Sequence, residues 1–148
     1  MSTDGGPRIP EVGPREAWKI LSEDAASMLV DVRTAPEWGF VGGPDLSELG
    51  KDVMRVEWKS WPDMSPNPAF VGEVLDQLAG LPSRLLFLCR SGARSMQAAQ
   101  AVAQALTAQG RHAECINVGE GFEGDLDALR HRGGLNGWKA RGLAWRQS

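Results

Sequence analysis

Residues 84–109 constrain the fold more than any other part of the chain. Arg84 is followed by Leu85, Leu86, Phe87, Leu88 and Cys89, an unbroken apolar run of strand length. A strand that is apolar at both alternating positions has no face left for water, so it belongs inside a parallel sheet covered on both sides. A short glycine-containing loop, Arg90 to Arg94, comes next, and Ser95 to Gln109 then carries no charged residue. Met96, Ala99, Ala103 and Leu106 share one helical face there, and Gly110 stops the helix.

The rest of the chain repeats that alternation. Pro14 to Glu23 reads as a short helix opened by Pro14, with Ala17, Trp18, Ile20 and Leu21 at helical spacing. Met28 to Val32 reads as a buried strand. Pro36 permits a helical turn through Trp38 and Phe40, which Gly42-Gly43-Pro44 breaks. Val53 to Trp58 alternates as a strand with one wetter face, and Lys59 to Pro68, with three prolines, is a loop. Ala69 to Ala79 carries Phe70, Val71, Val74, Leu75 and Leu78 on a helical stripe that Gly80 caps. Ala113 to Val118 is a further strand, followed by a long loop at Gly119, Gly121 and Gly124. Asp125 to Arg130 is expected as a helical turn and Leu135 to Arg141 as a short terminal helix. Strands alternating with helices imply crossovers and a parallel sheet. Function then belongs at the carboxyl ends of the strands, in the loops after Val32, Trp58, Leu88 and Val118.

Size and charge narrow the function classes. With 148 residues the chain suits one domain, expected over 9–148 after a disordered leader at 1–8. A net charge of −3 argues against nucleic-acid or anionic-membrane partners. The longest apolar run is far too short to span a bilayer, and the N-terminus lacks a signal-peptide pattern. Two cysteines build no disulfide scaffold, so a cytoplasmic protein with reduced thiols is expected.

The loop after Leu88 carries the chemistry: Cys89-Arg90-Ser91-Gly92-Ala93-Arg94-Ser95. A strand end, a tight loop and a helix start turn several backbone N–H groups toward one point, and Arg90 and Arg94 add full positive charge. That setting favours an anionic sulfur and makes Cys89 the candidate nucleophile. Cys115, in Glu114-Cys115-Ile116-Asn117, has no such loop and reads as core. Ser95 is expected to cap the helix through its hydroxyl. Trp58, Trp61 and Met64 fall on the rim of the expected site. His112 and His131 are isolated, and no paired spacing for a zinc site exists.

The chain here resembles the rhodanese-like sulfurtransferase family. Cys89 stands at the family's nucleophile position and Arg94 at its Cys-x4-Arg position. Leu29-Val30-Asp31-Val32-Arg33 with Glu37-Trp38 is similar to the early D-V-R…E segment, and Gly133-Gly134…Trp138…Gly142 to the closing G-G…W…G segment. The three stretches keep family order over about residues 9 to 146. The resemblance implies an α/β fold with a five-stranded parallel sheet flanked by helices on both faces. It also implies a Cys89 persulfide that moves sulfur from a donor such as thiosulfate to cyanide or a small-molecule or protein thiol, with no cofactor and no metal. Substrate-binding residues would be Arg90, Ser91, Gly92, Ala93, Arg94 and Ser95, whose amides cradle the persulfide. Arg33 is a weaker candidate, for which a plain ion pair with Asp31 or Glu37 is the competing reading. Phosphatases and arsenate reductases of the same fold resemble Cys-x5-Arg, one residue longer than the loop here. A sulfur-relay or protein-binding module is the other alternative. The chain departs from the family after Glu37 and in the longer, glycine-rich 119–132 connection, expected to fold over the cysteine pocket and screen donors or dock a partner.

Overall fold

A computed structural model of the chain describes residues 8–78 and 80–147. The expected leader, apart from Arg8, and the helical end expected at Ala79 lie outside the described residues. Five strands form one wholly parallel sheet: β1 (Glu11–Val12), β2 (Ser27–Asp31), β3 (Met54–Arg55), β4 (Arg84–Leu88) and β5 (Glu114–Val118). Their spatial order is β1-β5-β4-β2-β3. Three α-helices connect them: α1 (Pro14–Glu23), α2 (Phe70–Asp76) and α3 (Ala93–Ala108).

The apolar run of β4 takes the central place that its composition demands, with Leu86 opposite Leu29 of β2 and Ile116 of β5. Leu85 and Phe87 pack with Val74 of α2 and Ala98 and Val102 of α3 on one face. Leu86 and Leu88 pack with Ala17 and Leu21 of α1, and with Phe122 and Trp138, on the other. Each fully buried side chain of this size contributes roughly 2 kcal/mol. Four in sequence fix β4 as the axis of two hydrophobic layers. The carboxyl ends of β2, β4 and β5 thus lie side by side.

Three expectations need correction, and the helical turn after Pro36 forms where it is expected. The third strand shortens to Met54–Arg55, although Val56 N–H still donates to Asp31 O (3.1 Å) and Trp58 N–H to Val32 O (3.2 Å). The buried stripe of α3 is Ser95, Ala98, Ala99, Val102 and Leu106, with Met96 and Ala103 only partly covered. Its small residues let the helix lie close to the sheet. The turn after Pro36 is π-helical, Glu37–Val41, closed by Gly42 N–H donating to Glu37 O (3.2 Å).

No helix forms over 125–130 or 135–141. Backbone groups there pair across the chain: Gly133 N–H donates to Glu123 O (2.8 Å) and Trp138 N–H to Gly121 O (2.8 Å). Asp125 N–H donates to Asn136 Oδ1 (2.8 Å). Gly133 and Gly137 adopt φ of 91° and 100°, where helix cannot continue. Residues 119–138 therefore fold back upon themselves as a layer beside the cysteine loop.

Candidate active site

Cys89 leaves the end of β4 and is 1% exposed. Its Sγ accepts the Gly92 N–H (3.1 Å) and lies 3.2 Å from Ser95 Oγ. Gly92 has φ 113° and starts α3, a conformation that favours glycine, while Ala93 is the helix's first residue. The loop carbonyls are held from the other side. Phe122 N–H donates to Cys89 O (2.8 Å), and the Glu123 and Gly124 N–H groups both donate to Arg90 O (3.0 Å each). With those carbonyls engaged, N–H donors remain for the sulfur. Gly121 makes the approach possible: a Cβ there would stand 2.5 Å from Arg90 C and O and 2.6 Å from Cys89 O.

Ser95 does not cap α3 through its hydroxyl; Gly92 is the N-cap, and no side-chain cap forms. The buried Ser95 Oγ instead lies 2.5 Å from Asn117 Oδ1 and 3.2 Å from Gly92 O. Asn117, also fully buried, donates its amide to Glu11 Oε1 (2.9 Å) and to Gly92 O (3.1 Å). Those two bonds turn Oδ1 toward Ser95. A hydrogen-bonded chain therefore runs Glu11–Asn117–Ser95–Cys89 from the surface to the sulfur. Asn117 escaped sequence reasoning, although an amide inside the otherwise apolar Cys115-Ile116-Asn117-Val118 is a signal that marks it.

The two loop arginines have different fates. Arg94 grips Glu37 with both ends of its fork, Nη1–Oε1 at 2.9 Å and Nη2–Oε2 at 3.0 Å. Burial alone would raise the Glu37 carboxyl; the Arg94 hydrogen bonds, with those of Thr34, carry it below the ordinary carboxylate value. Arg90 is exposed, and its guanidinium has no hydrogen-bond partner among the described residues. Arg33 is wholly buried, paired with Asp31 (Nη2–Oδ2 2.7 Å), donating to Gly42 O (2.8 Å) and stacked 4.5 Å over Phe122.

A cavity of about 710 Å³ opens beside the cysteine loop. Arg90, Arg94, Glu37, Lys59, Trp61, Met64, Phe40, Glu123 and Arg132 are among its lining residues, while Cys89 and Arg33 are not. Trp61 and Met64 stand where the sequence puts them, but Trp58 turns inward to Phe70 (5.0 Å between rings) and donates to Gln97 (3.2 Å). From the 119–132 connection, Glu123 and Arg132 reach the cavity. Cys115 sits in mid-β5, where burial pushes its thiol up to about 11. Among the described residues no group of His, Cys, Asp and Glu is placed to hold a metal ion.

This fold recurs in known proteins. The chain matches the crystal structure of Rv0390 from M. tuberculosis with a TM-score of 0.83 and 44% identity, covering 96% of this chain and 100% of that one. It matches a rhodanese-like domain protein from Staphylococcus aureus with a TM-score of 0.50 and 17% identity, over 95% and 99% of the two chains. A protein of Rickettsia conorii, described as uncharacterized, is 33% identical over 137 residues, 93% of this chain and 97% of its own. A Rickettsia prowazekii protein described likewise is 30% identical over 138 residues, with the same coverage. No family model matches the chain. The fold is rhodanese-like, and the chain belongs to the family of these Rickettsia proteins.

Proposed function

We propose that this protein is a sulfurtransferase that carries sulfane sulfur on Cys89. The observation that carries the reading is the sulfur at the end of β4, with the Gly92 N–H on Sγ and the Ser95 hydroxyl beside it. In the first half-reaction the Cys89 thiolate attacks the outer sulfur of a donor such as thiosulfate. The donor's S–S bond breaks, sulfite leaves with the electron pair, and Cys89 holds a persulfide. In the second, an acceptor such as cyanide or a thiolate attacks the terminal sulfur, and Cys89 leaves as thiolate. The Gly92 N–H already aimed at the sulfur can follow the charge outward onto the persulfide, the kind of preorganised stabilisation that lowers such barriers.

Arg94 speaks against phosphoryl or arsenate chemistry on this loop. A phosphatase of this kind needs its arginine fork free for the substrate oxyanion. Here both nitrogens are taken by Glu37. Arg90, Ser91, Gly92, Ala93 and Ser95 are proposed as the cradle, Arg90 as the cation that meets an anionic donor, and Arg94 as a residue positioning the loop.

Thiocyanate release from thiosulfate and cyanide tests the reading. Activity is expected in the wild type, lost in Cys89→Ser and lowered about tenfold to a hundredfold in Ser95→Ala. Turnover that survives Cys89→Ser, or Cys89-dependent hydrolysis of an aryl phosphate, would overturn it.

A further inference from the structure

The protons behind the sulfur are fewer than the atoms that could take them. The Asn117 amide nitrogen has two protons and spends both, on Glu11 Oε1 (2.9 Å) and Gly92 O (3.1 Å), which fixes the amide with Oδ1 toward Ser95. The Ser95 hydroxyl has a single proton and three acceptors around it: Asn117 Oδ1 at 2.5 Å, Cys89 Sγ at 3.2 Å and Gly92 O at 3.2 Å. Uncharged sulfur is a weak acceptor. Gly92 O is already served by the Met96 N–H (3.3 Å) and the Asn117 amide. The short contact to Oδ1 therefore holds the proton, and Ser95 turns a lone pair toward the neutral sulfur. Ser95 and Asn117 are both fully buried, so bulk solvent does not compete for that proton.

Resting on the sulfurtransferase reading, we infer that Asn117 is a positioning residue that makes the Ser95 hydroxyl follow the charge on Sγ and so retains the sulfur on loaded Cys89. In the persulfide, Sγ is bonded to the carried sulfur and is a weak acceptor, so the Ser95 proton rests on Asn117 Oδ1. When cyanide attacks the carried sulfur, the S–S bond breaks, thiocyanate leaves and Sγ keeps the electron pair. The new thiolate draws the Ser95 proton, because a hydrogen bond to a charged acceptor is about twice as strong as a neutral one. That turn strips Oδ1 of its donor, and an unpaired buried carbonyl is unfavourable. Asn117 thus opposes the charge on Sγ that Ser95 and the Gly92 N–H favour. With an apolar side chain at 117, the hydroxyl is free for Sγ throughout the cycle.

Asn117→Leu, close in volume and without an acceptor, reads this role. Protein loaded with thiosulfate is mixed with cyanide, and thiocyanate release is followed in a single turnover. The variant is expected to release its sulfur about threefold to tenfold faster than wild type, the span of one buried hydrogen bond. In a Ser95→Ala background the same substitution should move the rate by less than about twofold, because Asn117 acts through the hydroxyl. A rate that falls or stays level in Asn117→Leu, or a gain that persists without Ser95, would overturn the positioning role alone. Should Asn117→Leu fail to fold, Glu11→Ala loosens the exposed end of the same chain. It should speed release about twofold, again only with Ser95 present, and an unchanged rate overturns the role. A protein that takes no sulfur from thiosulfate contradicts the sulfurtransferase reading instead. The role of Asn117 is then read from peptide-resolved alkylation of Cys89 by iodoacetamide at pH 7. Faster alkylation in Asn117→Leu, abolished by Ser95→Ala, supports it, and equal rates overturn it.

Discussion

Glu37 holds Arg94 from 57 residues away in sequence, and that distance explains why the pairing was not legible. The early motif marks Glu37 and the loop marks Arg94, but only the turn over 37–41 brings them together. Both side chains are mostly buried (18% and 15% exposed), so Glu37→Gln should cost about 3 kcal/mol at pH 7, as when one partner of a covered ion pair is removed. The Glu37 carboxyl titrates lower in the folded protein than in the unfolded chain. Its stabilisation is therefore whole above the ordinary value of 4.5 and is lost as pH falls through the lowered folded value. Urea titrations of wild type and Glu37→Gln should differ at pH 7, and the difference should narrow as pH falls below 4.5; a gap that does not narrow contradicts the pairing. The contrast between the cysteines, by comparison, could be read directly from neighbouring charge. The five residues after Cys89 include two arginines, and the five after Cys115 include none.

Among the elements, β4 and the helix after it were legible because composition alone dictated them. An apolar strand must be central, and the alanine-rich helix after it lays one face on the sheet. Residues 119–142 were not, since helical spacing at Asp125–Arg130 and Leu135–Arg141 gave way to pairing between distant backbone groups at glycines. That segment supports the cysteine loop from outside, through Phe122, Glu123 and Gly124. Gly121→Ala is the sharpest probe, because φ is +67° and the new methyl would meet Cys89 O and Arg90 at 2.6 Å or less. It should destabilise the protein by about 2–4 kcal/mol and lower sulfur loading of Cys89. Gly134→Ala meets nothing within 4 Å and should stay within about 0.5 kcal/mol of wild type. Denaturant midpoints and loading rates of the two variants check this, and equal behaviour would refute the clamp.

Over the whole molecule, a parallel sheet brings the ends of β2, β4 and β5 to one edge, and the alternation of strand and helix made that edge legible before any contact was known. Overall charge conceals the site, for an acidic chain presents a basic cavity at that edge. Neither the cavity's apolar wall nor Asn117's place behind the sulfur could be read from sequence, because both arise from loops that meet only after folding. The central claim is that one sulfur atom rides on Cys89. Intact-protein and peptide mass spectrometry after thiosulfate treatment tests it directly. The account predicts a single added sulfur on Cys89, none on Cys115, removal by cyanide, and no adduct in Cys89→Ala. A protein that stays unmodified with thiosulfate and with organic persulfides, or that takes sulfur on Cys115 instead, would contradict it.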